Sequence, residues 1–90
     1  MYYVYILISY KDRQLYIGFT PDLKNRIFKH GQGFVRATKH RRPLKLLYYE
    51  AYSEKLDAKR REKYLKGGKG RGELKTQLQS VLEKVDYKHL

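Results

Sequence analysis

From Tyr2 to Tyr10 the chain reads YYVYILISY, aromatic and β-branched with hardly a polar break. An apolar run of this length without alternation predicts a strand buried on both faces. Lys11-Asp12-Arg13-Gln14 interrupts it, and residues 15–20, LYIGFT, predict a second strand. So short a connection joins the two as an antiparallel hairpin. Gly18, inside the second strand, implies either a bulge or a group lying close against the backbone. Thr20-Pro21-Asp22 reads as a helix start, with Thr20 as cap, Pro21 in the first turn and Asp22 at the positive end of the dipole. That helix runs to about Lys29 or His30, and Gly31 is a plausible left-handed stop. Residues 31–43 form a basic loop before Pro43, and residues 44–52, LKLLYYEAY, predict a third strand. Ser53 can cap a second helix from Glu54 to about Lys66. The glycine-rich segment GGKGRG, 67–72, reads as a basic linker, a mobile turn between helices. A last helix begins near Glu73 and extends to about residue 85, because Leu74, Leu78, Val81, Leu82 and Val85 form one apolar stripe.

The expected fold is therefore α/β with element order β-β-α-β-α-α. It is a three-stranded, mainly antiparallel sheet with helices packed on it, in one domain spanning residues 1–90. Strand order beyond the hairpin cannot be read from periodicity.

Charge changes the picture. Against 21 Lys and Arg stand 9 Asp and Glu, a net charge of +12 on 90 residues. Such an excess attracts polyanions and releases their counterions on binding, so nucleic acid is the expected partner. No basic amphipathic helix carries a bulky apolar face, which argues against a membrane surface. The chain has no cysteine, which excludes disulfides, cysteine-bound zinc and thiol nucleophiles. The first apolar run stops at Lys11, too short to span a bilayer, and no signal-peptide pattern is seen, so the expected location is the cytoplasm. Ten of the thirteen aromatic residues are Tyr. A phenol can pack its ring and still offer a hydroxyl to phosphate or water.

Several residues could carry phosphate chemistry. Arg26 and His30 lie four apart on the first helix, beside the Leu23–Ile27 stripe that anchors it. A guanidinium there can hold a phosphate through two parallel hydrogen bonds; the plainer alternative is a solvated basic face. On the second helix Ala58, Glu62 and Leu65 share a face, so Glu62 sits beside the inward stripe among Lys59, Arg60, Arg61, Lys63 and Lys66. It could ligate a divalent cation, or simply neutralise its basic neighbours. Glu50, between Tyr49 and Ala51, is a rival ligand or the partner of a nearby arginine, and Asp57 is a weaker candidate. If the hairpin forms, Tyr5 and Tyr16 sit on adjacent strands and their hydroxyls can converge. Residue by residue, ordinary packing is the simpler explanation for each tyrosine.

The ordered set resembles a known family. Tyr3-Val4-Tyr5, ten residues, and Tyr16-Ile17-Gly18 look like the paired motif of the GIY-YIG nucleases, with YVY in place of GIY and the second triplet intact. Arg26, eight residues past Gly18, and His30, one turn later, fall where that family places an Arg and a His or Tyr. Ala58, Glu62, Leu65 and Lys66 match its pattern around a metal-binding Glu. The resemblance covers about residues 2–66 and is nearest to the small stand-alone bacterial proteins of the superfamily. These are similar to the nuclease module of the excision-repair incision subunit.

The resemblance implies an endonuclease that hydrolyses phosphodiester bonds of DNA, or of RNA, in repair or recombination. Mg²⁺ or Mn²⁺ would sit on Glu62 and the scissile phosphate, with Arg26 stabilising the phosphoryl oxygens. Tyr5 or a metal-linked water network would take the proton from water, with Tyr16 and His30 orienting water and phosphate. Lys39, Arg41, Arg42, Lys69 and Arg71 are the expected contacts to the nucleic-acid backbone. One site makes one break, so duplex cleavage needs a homodimer, two visits of a monomer, or a protein partner. Two rival readings stand beside this one. The first is a non-catalytic nucleic-acid binder with the same fold. The second is an RNA module using Gly67-Gly68-Lys69-Gly70 as a GXXG loop.

Overall fold

The computed structural model describes residues 1–87. Its sheet has three strands, β1 (Tyr2–Ser9), β2 (Leu15–Thr20) and β3 (Leu44–Tyr52), in the order β2-β1-β3 with both pairings antiparallel. The strand with the unbroken apolar run takes the centre, and Val4 through Ser9 are buried. The physical reason is that β1 alone has neighbours on both edges and layers on both faces. Val4, Ile6 and Ile8 point into the main core with Leu15 and Ile17 of β2. Tyr5 and Leu7, buried as fully, face the opposite side. Against β3 the register shifts after Ile6: Ile6 faces Tyr48 but Leu7 faces Leu46, so Leu47 is an extra residue.

Helix α1 (Leu23–Gln32) covers the Tyr5 face, and α2 (Lys55–Lys66) covers the other with Ala58 and Leu65. Helices α3 (Gly68–Gln77) and α4 (Gln79–Lys84) complete that second layer through Leu74, Leu78, Leu82 and Val85. None of the described helices is long and apolar enough to cross a membrane.

Element ends depart from the sequence reading in ways that have local causes. The cap of α1 is Asp22, not Thr20, and its carboxylate accepts the Asn25 N–H at 3.2 Å. Thr20 still belongs to β2, where its hydroxyl accepts the Asp22 N–H. The helix runs through Gly31 and stops at Gly33, whose φ of 80° is left-handed. At α2 the cap position falls on Glu54 instead of Ser53, with no side-chain cap bond.

The largest correction is at 67–72. The expected linker is the first half of α3, so the GXXG match is no loop. Glycine normally disfavours a helix interior by about 1 kcal/mol relative to alanine. Here packing overrides propensity: a Cβ on Gly70 would overlap the Tyr64 carbonyl oxygen and stand 2.6 Å from its carbon and 3.0 Å from Leu65 Cα. Only glycine lets α3 lie this close on the end of α2. The stripe expected as one helix to residue 85 is broken at Leu78, which separates α3 from α4.

These contacts separate two kinds of glycine in one helix. Gly70→Ala is expected to destabilise the protein by at least about 3 kcal/mol, because backbone atoms must move. Gly72→Ala, with nothing within 4 Å of the added methyl, is expected to stabilise by about 1 kcal/mol. Thermal denaturation of the two variants beside the parent measures both.

Candidate active site

The hairpin register puts Tyr5 opposite Gly18 and Leu7 opposite Tyr16, so the two tyrosines are diagonal neighbours on one sheet face. Gly18 is explained by close approach. A Cβ there would collide with the Tyr5 ring, whose Cε1 would lie 2.8 Å away. The Tyr5 ring therefore lies over β2, with its hydroxyl above Gly18.

Helix α1 brings two side chains to that hydroxyl. His30 Nε2 is 2.7 Å from Tyr5 Oη, and Arg26 Nε donates to the same oxygen at 3.5 Å. The ring centroids of Tyr5, Tyr16 and His30 lie 5.2–6.3 Å apart in pairs. The four-residue spacing of Arg26 and His30 thus does what helical geometry dictates. His30 is buried, and Arg26 remains partly open to solvent.

The sequence reading missed one member of the cluster. Thr38 is fully buried, and its hydroxyl is 2.7 Å from His30 Nδ1. Both ring nitrogens are thereby used, and in a neutral imidazole one donates while the other accepts. The available signal was weak: Val35 and Thr38, three apart, are the two buried residues in an otherwise basic loop.

Electrostatics follow from this crowding. Burial first, and the positive charge of Arg26 second, hold His30 down at about 4, so the imidazole is neutral at physiological pH. Burial pushes Tyr5 up to about 12, against the hydrogen bond and charge of Arg26; the charges of Tyr16 and Glu62 add to the rise. The Glu62 charge is the smallest of these contributions. Arg26 is raised, first by its hydrogen bond to Tyr5, with burial opposing and Tyr16 adding.

Glu62 is largely covered and paired with Lys59 at 3.5 Å and Lys66 at 2.9 Å. Among the described residues, no three His, Asp or Glu side chains gather where they could hold a metal. What Glu62 offers is one carboxylate, and a hard divalent cation can be held by a single carboxylate with water and substrate phosphate completing its shell. Glu50 is accounted for differently. Burial would raise it, but bonds from Arg61, Tyr52 and Tyr48 outweigh burial and hold it below the ordinary carboxylate range. Arg61 grips it through two nitrogens at 2.9 and 3.1 Å, tying α2 to β3. Asp57 pairs with Arg60 on the surface.

The five expected backbone contacts lie outside this cluster. Arg41 pairs with Asp12 at 2.7 Å and binds the Gln14 carbonyl, clamping the loop to the hairpin turn. Arg42 is exposed and bonds the Lys39 and Gly31 carbonyls, beside an exposed Lys39. Lys69 and Arg71 project from α3 instead of a loop, Lys69 exposed and Arg71 partly so.

A profile of the GIY-YIG catalytic domain matches residues 1–76. The chain belongs to the GIY-YIG family. That membership makes it a chain of the endonuclease type with a nucleic-acid substrate, and small bacterial proteins are among its relatives. A UPF0213 protein of Clostridium perfringens is 45% identical over 67 residues, 73% of this chain and 71% of its own length. One from Staphylococcus saprophyticus is 43% identical over 67 residues, 72% and 79% of the two chains. One from Streptococcus pyogenes is 39% identical over 72 residues, 79% and 77%. No solved structure matches. The GIY-YIG match extends past α2 into α3, so the helix that replaces the expected linker falls within the family domain.

The low value of His30 sets a pH dependence. Folded His30 titrates near 4 and free histidine near 6.5, so between these values the unfolded chain holds a proton that the folded one lacks. The stability present above pH 6.5 is lost as pH falls toward 4. Melting temperature is expected to decline over this window, and His30→Gln is expected to flatten that slope. An unchanged slope would show that His30 is not the group responsible.

Proposed function

We propose that this chain is a Mg²⁺- or Mn²⁺-dependent endonuclease that hydrolyses phosphodiester bonds in DNA, nicking it or cutting at particular structures. We place it in the cytoplasm, as one domain over residues 1–90, acting in repair or recombination. The observation that carries the reading is the convergence of Tyr5, Tyr16, His30 and Arg26 on one sheet face, with the Glu62 charge acting on the Tyr5 phenol.

Each residue then has a physical task. Arg26, cationic at all working pH values and partly exposed, binds the scissile phosphate and offsets charge growing on its oxygens. Glu62 would hold the cation, which when bound supplies Lewis acidity toward the phosphoryl oxygen and its water. Tyr5 is a poor base in the free protein, since burial keeps its proton on. The bond to His30 gives that proton somewhere to go. As Tyr5 Oη accepts a proton from water, its own passes to His30 Nε2, with Nδ1–H held by Thr38. A phosphate at Arg26 eases this step by neutralising a charge that disfavours imidazolium. Tyr16 packs against the imidazole and orients water at the open side.

A non-catalytic binder is the second reading. What favours it is that Lys59 and Lys66 already occupy the Glu62 carboxylate and must be displaced by a metal. The two readings part in a nicking assay on supercoiled plasmid with Mg²⁺ or Mn²⁺. Arg26→Ala and Glu62→Gln are each expected to reduce nicking by about 10²- to 10³-fold, with Glu62→Gln retaining DNA binding. Tyr5→Phe is expected to lose nicking as well. Absence of metal-dependent cutting in the parent, or variants that cut at the parental rate, would overturn the nuclease assignment.

A further inference from the structure

Next to the Tyr5–Arg26 cluster, on the same sheet face, runs an open groove of about 500 Å³. Tyr3, Leu46 and Tyr49 of the sheet and Leu23 and Ile27 of α1 line it, together with Pro21, Asp22 and Lys24. The register explains the grouping. Tyr3 and Tyr5 alternate along β1, Tyr49 lies opposite Tyr5, and the extra residue Leu47 turns Leu46 to the same side. Ile27 directly follows Arg26. Leu23 and Ile27, expected to be anchored by burial, are only partly covered because the groove stays open. The rings of Tyr3 and Tyr49 meet edge to face at 6.0 Å, and Tyr49 is 51% exposed. Tyr3 stands where the GIY triplet has glycine.

We propose that the groove receives one unstacked nucleobase of the strand whose phosphate lies at Arg26; the inference rests on the nuclease reading and names its substrate class. Three observations select this occupant. The groove borders the Tyr5–Arg26 cluster, since Tyr3 shares the Tyr5 face of β1 and Tyr49 lies opposite Tyr5, so a strand with a phosphate at Arg26 can bring a neighbouring base to Tyr3 and Tyr49. Its walls are apolar and aromatic, and stacking on such rings accepts any base. The chain's net charge of +12 attracts a polyanion to the molecule, and Lys24, which lines the groove beside Asp22, can meet a flanking phosphate. A base within intact duplex cannot enter, so the favoured substrates are single strands, flaps and distorted duplexes.

The test is binding with metal chelated, so that nothing is cut. The probe is a short single-stranded oligonucleotide carrying 2-aminopurine, compared with the same oligonucleotide in perfect duplex. The parent is expected to bind the single strand and quench its fluorescence. Tyr49→Ala is expected to weaken that binding about tenfold and remove the quench, while Tyr49→Phe keeps both and duplex affinity stays within about twofold. Single-strand affinity and quench unchanged in Tyr49→Ala overturn the proposal. So does a shift from dimer to monomer in that variant, which assigns the face to a contact between copies. Plasmid nicking tests the nuclease reading separately: a base can bind here though nothing is cut, and nicking can occur with this groove empty.

Discussion

The Tyr5 phenol is the point on which the rest depends. It belongs to the most buried strand, lies over Gly18 of the next, and reaches His30 of α1, which in turn holds Thr38 of the following loop. Four separate stretches of chain are thus fixed around one hydroxyl. A buried phenol or imidazole lacking a partner is costly, and among the described residues no buried side-chain nitrogen or oxygen lacks one. The same bonds that satisfy these groups also aim them. Packing and functional geometry cannot be separated at this place, because the group that fills the space is the group that would move the proton.

The carboxylates show how a very basic chain remains compact. Asp12 clamps Arg41, Glu50 clamps Arg61 and is bonded by Tyr48 and Tyr52, and Glu73 reaches Tyr64 and Arg61. Exposed pairs of this kind contribute little each. The half-buried Glu50 cluster is different, since it joins β3 to α2 through several bonds on one carboxylate. With most acids committed to internal partners, the surplus cations are left for solvent and for a polyanion. Glu62 is the exception in kind: its partners are flexible lysines, which a ligand can displace more readily than a forked guanidinium.

Much of the architecture was legible because it rests on local rules. The burial of β1 on both faces follows from a run with no polar face, and the hairpin from a short polar connection, whereas the order β2-β1-β3 is a finding of the structure. The spacing that puts Arg26 beside His30 is helical arithmetic. What stayed illegible depended on contacts between distant residues. GGKGRG looks like a linker to any propensity scale, and only the Tyr64 backbone beneath Gly70 explains why it is helical. Thr38 has no periodic signature, since its importance comes from His30. Glu50 and Glu62 could be ranked by motif but not by environment, because burial and neighbouring donors are properties of the assembled fold.

By itself, then, the amino-acid order determined the three strands and the first two helices, which strand is covered on both faces, and which residue types are available for phosphate chemistry. These follow from side-chain periodicity and backbone preference, which act over a few residues. Tertiary structure alone decided which acid is gripped by a guanidinium and which by lysines, which hydroxyl orients the histidine, and where the sheet stays uncovered between Tyr3 and Tyr49. Those outcomes follow from desolvation and direct contact, whose strength depends on what the folded chain brings within a few ångströms.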